Sequence, residues 1–297
     1  MEGVSRRAID PTQVWNEVDV VTRSALASGA LEVIETTGSG LTDGSIDFFV
    51  REVSSLLKKF DVQAQASPKR NPFLPYEEAL YIGDPCPGHV LLLNKFPVMS
   101  RHLLVISREF VHQETLLLPD DFIALARAMG ARDCLAFYNA GREAGGSQRH
   151  RHLQFVPLPF EGAGHGTPID AVLSTEKRKE GTDIADLGYR HALGWLGDDQ
   201  ESSCETRGLA MHAKYRQLIG MLGITGVPSP EGDRQSRAYN LLATRSWMIV
   251  VPRTREHFET ISVNALGFAG SLFVRNAAEQ ALVRRVGPRA VLAAVTN

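Results

Sequence analysis

Cysteine is scarce. There are three in 297 residues, Cys86, Cys134 and Cys204, far apart and with no C-x-x-C pair among them. That argues against a disulfide framework or a cysteine-rich zinc centre, and a reducing compartment fits better. Long apolar runs are lacking too. None approaches the roughly 20 residues of a membrane span, and the opening stretch MEGVSRRAIDPTQ has no signal-peptide core. A cytoplasmic location is the expectation, with no membrane partner. Nor is there an excess of one charge. A net charge of -2 supplies no basic field for nucleic acid. A local pocket for a small polyanion needs only a few lysines, arginines or backbone amides. Repeats of solenoid period are absent. Hydrophobic residues at 43% and charged residues at 22% are ordinary globular usage, so disorder is not the default.

What is present reads as helices interleaved with antiparallel hairpins. Val14, Val18, Val21 and Leu26 fall at helical spacing, with Asp10 or Thr12 as the candidate cap. Residues 46–57 are rich in aromatic and β-branched types and predict a strand, and residues 61–76 predict a loop. HVLLLNKF (89–96) and HLLVIS (102–107) predict a hairpin about Pro97. Residues 119–133 open on Asp120 and Asp121 and carry Phe122, Leu125 and Met129 at helical spacing, so both acids read as helix-start residues. CLAFYN (134–139) and HRHLQFVPLP (150–159) predict strands. Residues 160–203 predict a long excursion and 205–222 a helix. AYNLLAT and WMIVVPR predict a second hairpin, 261–270 a strand or turn, and 271–295 helix. Without regular βαβ alternation, the fold class is α+β.

The chemistry concentrates in Gly145-Gly146-Ser147-Gln148-Arg149-His150-Arg151-His152-Leu153-Gln154. Side chains alternate along a strand, so His150, His152 and Gln154 share one face and Leu153 and Phe155 the other. The glycine-containing loop before them can offer amides and a hydroxyl to phosphate oxygens. A neutral imidazole can attack phosphorus, and a neighbour can fix its tautomer. Gln154 cannot act as a base, which favours passing the group to phosphate or a nucleotide over water. Other readings of the segment stay open here. The two histidines could be zinc ligands, although no third ligand is near. They could be surface residues beside solvated Arg149 and Arg151, and G-G-S-Q could be an ordinary loop.

H-R-H-L-Q after G-G-S-Q resembles the H-x-H-x-Q signature of the transferase branch of the histidine-triad superfamily. Further blocks follow in order: VREVSSLLKK (50–59), LLLNKFPV (91–98), HLLVISREF (102–110), FYNAG (137–141), YNLLATRSWMIVVPR (239–253) and VNALGFAG (263–270). Together they resemble the diadenosine tetraphosphate phosphorylases, or ATP adenylyltransferases, over nearly the whole chain. The resemblance implies a histidine-triad-like α+β fold with a central antiparallel sheet flanked by helices. It implies an N-terminal catalytic half (1–165) and a C-terminal half (166–297) completing the sheet and nucleotide site in one compact unit. It implies reversible phosphorolysis of diadenosine tetraphosphate to ATP and ADP. His152 then matches the nucleophile, His150 an orienting neighbour, and Gln154 the holder of the transferred phosphate. Lys59, Asn94, Lys95, Asn139, the stretch Gly145, Gly146, Ser147 and Gln148, and Asn264 match substrate contacts. An unpaired Lys95 in an apolar strand would be costly, which points to a ligand or partner. Tyr138 and Phe268 read as core. Arg275 sits where a basic residue is expected. No covalent cofactor is implied, only a divalent cation, magnesium for choice, carried with the polyphosphate; no dedicated protein metal site is evident. The partners are nucleotide and phosphate, and no feature fixes an oligomeric state. Hexose-1-phosphate nucleotidylyltransferase and ADP-sulfate phosphorylase are the alternatives.

Overall fold

The computed structural model describes residues 6–53, 71–160, 163–175, 180–183, 187–197 and 202–296. In chain order its strands are β1 (Thr36–Asp43), β2 (Ile46–Val53), β3 (Tyr81–Gly83), β4 (His89–Leu93), β5 (Leu103–Ser107), β6 (Cys134–Ala140), β7 (His152–Pro157), β8 (Gly181–Thr182), β9 (Ala192–Trp195), β10 (Gly226–Val227), β11 (Arg234–Gln235), β12 (Tyr239–Ala243), β13 (Trp247–Pro252), β14 (His257–Phe258), β15 (Ile261–Ser262) and β16 (Ser271–Val274). The helices are α1 (Val14–Ser28), α2 (Pro119–Met129), α3 (Asp170–Thr175), α4 (Cys204–Met221), α5 (Ala265–Phe268), α6 (Ala277–Val286) and α7 (Pro288–Ala294). Nine strands form one sheet in the order β3-β4-β5-β7-β6-β12-β13-β9-β8, and every neighbouring pair in it is antiparallel. Both expected hairpins, β4–β5 and β12–β13, are present.

The apolar alternation of the strands decides what covers each face. Leu103, Val105, Ala136, Tyr138, Leu153 and Phe155 point to one side and pack with Val18 of α1, Phe122 and Leu125 of α2, and Met211, Tyr215 and Leu218 of α4. Each Leu or Phe buried there contributes about 1.5–3 kcal/mol. The opposite face is covered twice. Leu135, Phe137, Val156, Leu242 and Ile249 meet Phe48 and Val50 of β2 and Phe268. Further along, Leu104 and Ile106 meet Val90, Tyr81 and Phe73. His152 and Gln154 lie on this face between the two apolar patches. Tyr138 and Phe268 are fully buried core, as read.

Local expectations fail where a distant partner intervenes. The cap of α1 is Gln13, whose side chain makes no capping bond to the helix backbone and accepts instead from Asn16 Nδ2; Asp10 accepts from Thr12 just upstream. Residues 271–274 are not helical. They form β16, which pairs in parallel with β2 before α6 begins. The excursion over 160–203 returns to the sheet, where β9 pairs with β13. Of the strand expected over 46–57, residues 46–53 form β2, and residues 54–57 lie outside the described residues.

Candidate active site

β7 starts at His152, one residue after Arg151, so the expected three-residue row is not all strand. His150 makes only an isolated bridge to His112. Its ring turns to β5, where Nε2 lies 2.7 Å from Ser107 O and 3.0 Å from Ser107 Oγ. A carbonyl can only accept, so Nε2 carries the proton and Nδ1 accepts from Asn71 Nδ2 at 2.8 Å. The orienting group offered to His152 is the His150 main-chain carbonyl, not its imidazole.

His152 Nδ1 stands 2.8 Å from His150 O. The same logic puts the proton on Nδ1 and leaves a lone pair on Nε2, which meets no partner among the described residues. Burial depresses the His152 imidazole to about 4, so it is neutral near pH 7. No carboxylate among the described residues pairs with that ring. The ring of Phe73 lies 5.0 Å away, centroid to centroid.

Gln154 is held by a relay that the sequence did not reveal. Asn94 Nδ2 donates to His102 Nδ1 at 3.1 Å, so His102 Nε2 carries the proton and donates to Gln154 Oε1 at 2.9 Å. Burial depresses His102 to about 4 as well, keeping it neutral. With Oε1 occupied, the Gln154 amide NH2 is left as a donor on the face of His152. The one available signal was a histidine heading the apolar strand beside the catalytic one.

The loop ahead of β7 needs its glycines for packing. A Cβ on Gly146 would stand 2.6 Å from Asn139 O and 2.8 Å from Gly141 O; Gly145 adopts φ +79 against Val263 O and Asn264. The amides of both glycines are already used, by Arg142 O and Gly141 O. The amides of Ser147 and Gln148 have no acceptor among the described residues, so the open backbone donors of the loop are these two. Asn139 Oδ1 accepts from Ala265 N at 2.9 Å and from Asn240 Nδ2 at 2.8 Å. Asn264 Oδ1 accepts from Leu266 N, capping α5. Both asparagines therefore brace the backbone around the loop and leave an NH2 available to a ligand.

The outlying candidates fare differently. β4 ends at Leu93, so Lys95 lies beyond the strand, half-exposed and 2.6 Å from Glu77; its charge is paired at the surface. Lys59 lies outside the described residues. Arg275 pairs with Glu279 and donates to Thr260 O. Arg151 is not solvated. It is 3% exposed and bonds Asp121 at 2.9 Å and Leu116 O at 2.9 Å. Asp121 also receives His89 Nε2 at 3.0 Å and Leu118 N at 2.7 Å, so it starts α2 as expected and anchors Arg151 besides.

Comparison with known proteins shows the family. The model of the Ap4A phosphorylase N-terminal domain matches residues 4–175, and that of the ATP adenylyltransferase C-terminal domain residues 185–297. The chain is 28% identical over 283 residues to diadenosine 5',5'''-P1,P4-tetraphosphate phosphorylase 2 of Saccharomyces cerevisiae, covering 85% of this chain and 84% of that protein. It is 26% identical over 292 residues to the yeast protein APA1, covering 90% and 88%. The crystal structure of yeast Ap4A phosphorylase Apa2 shares the fold with a TM-score of 0.75 at 22% identity, covering 97% of this chain and 95% of that one. The structure of Apa2 in complex with Ap4A gives 0.74 at 19% identity, covering 97% and 98%. Matched in both halves, the chain belongs to the Ap4A phosphorylase and ATP adenylyltransferase family of nucleotidyltransferase enzymes.

Proposed function

We propose that the chain phosphorolyses diadenosine tetraphosphate to ATP and ADP, reversibly, through a nucleotidyl group carried on His152. The observation that carries this reading is the tautomer of His152: Nδ1–H held by His150 O, with the Nε2 lone pair open beside the Gln154 amide. Nε2 attacks the phosphorus of one adenylyl group, and the electron pair of the breaking P–O bond leaves with ATP. The ring then carries positive charge, and the Nδ1–H···O=C bond strengthens with it. A phosphate oxygen attacks the same phosphorus, the P–N bond breaks, its pair returns to Nε2, and ADP leaves. Two in-line displacements retain configuration. The Gln154 NH2 and the Ser147 and Gln148 amides supply donors to the charge that develops on the transferred phosphoryl oxygens. Gln154 has no basic site, so nothing at that position activates water. Lys59, Lys95, Asn139, the Gly145–Gln148 loop and Asn264 are assigned to the substrate; Lys95 would exchange Glu77 for a phosphate, whereas Asn94, expected to touch the nucleotide, acts through His102. A divalent cation travelling with the polyphosphate is part of the substrate.

The test is to incubate the enzyme with diadenosine tetraphosphate with and without phosphate while following ATP, ADP and AMP. Turnover that requires phosphate and yields ATP plus ADP is expected. Equal rates without phosphate, giving AMP plus ATP, would mean a hydrolase. Trapping with radiolabelled substrate in the absence of phosphate should leave acid-labile, base-stable label on His152.

A further inference from the structure

β6 and β7 pair in register from Cys134↔Pro157 to Phe137↔Gln154. Carried on, the same register would bring Asn139 opposite His152, and the two residues would exchange main-chain bonds as ladder partners do. They do not. The strands part to make room for the glycine loop, and the side chain of Gln113 fills the opening. His152 N–H donates to Gln113 Oε1 at 2.9 Å, and Gln113 Nε2 donates to Asn139 O at 3.0 Å, with His152 O at 3.5 Å. The partners leave no choice of amide orientation, because an N–H only donates and a carbonyl only accepts. Gln113 is itself fixed. It is 2% exposed, its N–H donates to Arg149 O at 2.7 Å, and its carbonyl accepts from the buried Tyr138 hydroxyl.

We propose that Gln113 is a positioning residue for the nucleophile: its amide replaces the missing stretch of ladder and holds the His152 backbone while the adjoining loop stands open for phosphate. The consequence reaches the ring through geometry. His152 Nδ1 is tied to His150 O within the same short segment. If the His152 peptide shifts, that 2.8 Å bond lengthens, and the proton is no longer confined to Nδ1. Attack then requires a tautomer that is present only part of the time. Substrate is gripped by other groups, so the effect belongs on the chemical step and not on capture. A misplacement of an ångström in a reacting group can cost on the order of a hundredfold.

The inference rests on His152 being the nucleophile, and the experiment separates the two. Label is first trapped on the wild-type enzyme; its absence from His152 refutes the reading of function. Gln113→Met keeps length and volume and removes both hydrogen bonds. Expected is a fall of roughly ten- to a hundredfold in kcat, and in the single-turnover rate of His152 labelling, with KM within about threefold. Nitrogen-15 histidine NMR, with the His152 signal identified by its loss in His152→Ala, should show a single Nδ1–H tautomer in the wild type and a mixture in the variant. Unchanged kcat with an unchanged tautomer, or a KM that absorbs the whole effect, overturns the proposal. Should methionine prevent folding, Gln113→Glu retains the acceptor for His152 N–H and loses the donor to Asn139 O. The same fall in kcat at constant KM is expected there, and unchanged kcat overturns it.

Discussion

Replacing His102 with phenylalanine tests the buried relay through two readouts with different physical origins. The new ring fills nearly the same space beside Phe137, whose centroid lies 5.5 Å from that of His102. Both hydrogen bonds go, from Asn94 and to Gln154. A neutral buried hydrogen bond is worth about 0.5–1.5 kcal/mol. Freeing the Gln154 amide should therefore slow the chemical step roughly two- to tenfold. The second readout is stability against pH. His102 and His152 are both held near 4 in the folded chain, against about 6.5 when unfolded. Between those values the unfolded chain binds protons that the native chain refuses, so stability is full above about pH 6.5 and falls as the pH drops toward 4. Each histidine contributes about 3 kcal/mol to that loss. Urea unfolding from pH 7.5 to 4.5 should show the variant losing markedly less stability than the wild type. An identical pH slope together with an unchanged rate would refute the relay.

Gly146→Ala places a Cβ 2.6 Å from Asn139 O and 2.8 Å from Gly141 O, both backbone atoms that cannot swing aside. A displaced loop, a raised KM and a melting temperature lower by several degrees are expected; wild-type values for both would mean the loop gives way freely. His152→Ala removes the nucleophile and should cost several orders of magnitude, with no label trapped. His150→Ala keeps the main-chain carbonyl that orients His152, so its rate should fall far less, through loosening of Asn71; equal losses would put the orienting role on the His150 ring. Asp121→Asn leaves the buried Arg151 without its carboxylate and should destabilise by about 3–5 kcal/mol in denaturant unfolding. Burial alone would raise the Asp121 carboxyl, but hydrogen bonding from His89 and the charge of Arg151 hold it below the usual range. That contribution is present above about pH 4 and is lost as acid protonates the Asp121 carboxylate, so the gap between wild type and variant should close at low pH. A gap that persists unchanged into acid would mean that the lost stability is not electrostatic.

Period and chemical type were enough to establish much of this protein. The apolar runs at 89–93 and 103–107 read as strands, the 3.6-residue pattern from Phe122 to Met129 as a helix, and alternation put His152 and Gln154 on one face opposite Leu153 and Phe155. These are local properties, and the physics that reads them is local. The working parts of the site came instead from residues far away in sequence. His102 reaches Gln154 across 52 residues and Gln113 reaches His152 across 39. Nothing in HLLVIS or HQETLLLP marks one polar side chain as a partner, because a hydrogen bond is defined by the group opposite and only sheet pairing brings that group near. The same reason put Arg151 in a buried ion pair with Asp121 and turned the His150 ring toward Ser107 and Asn71. It also made residues 271–274 a strand, since the edge of β2 that receives them is visible only once the chain has folded.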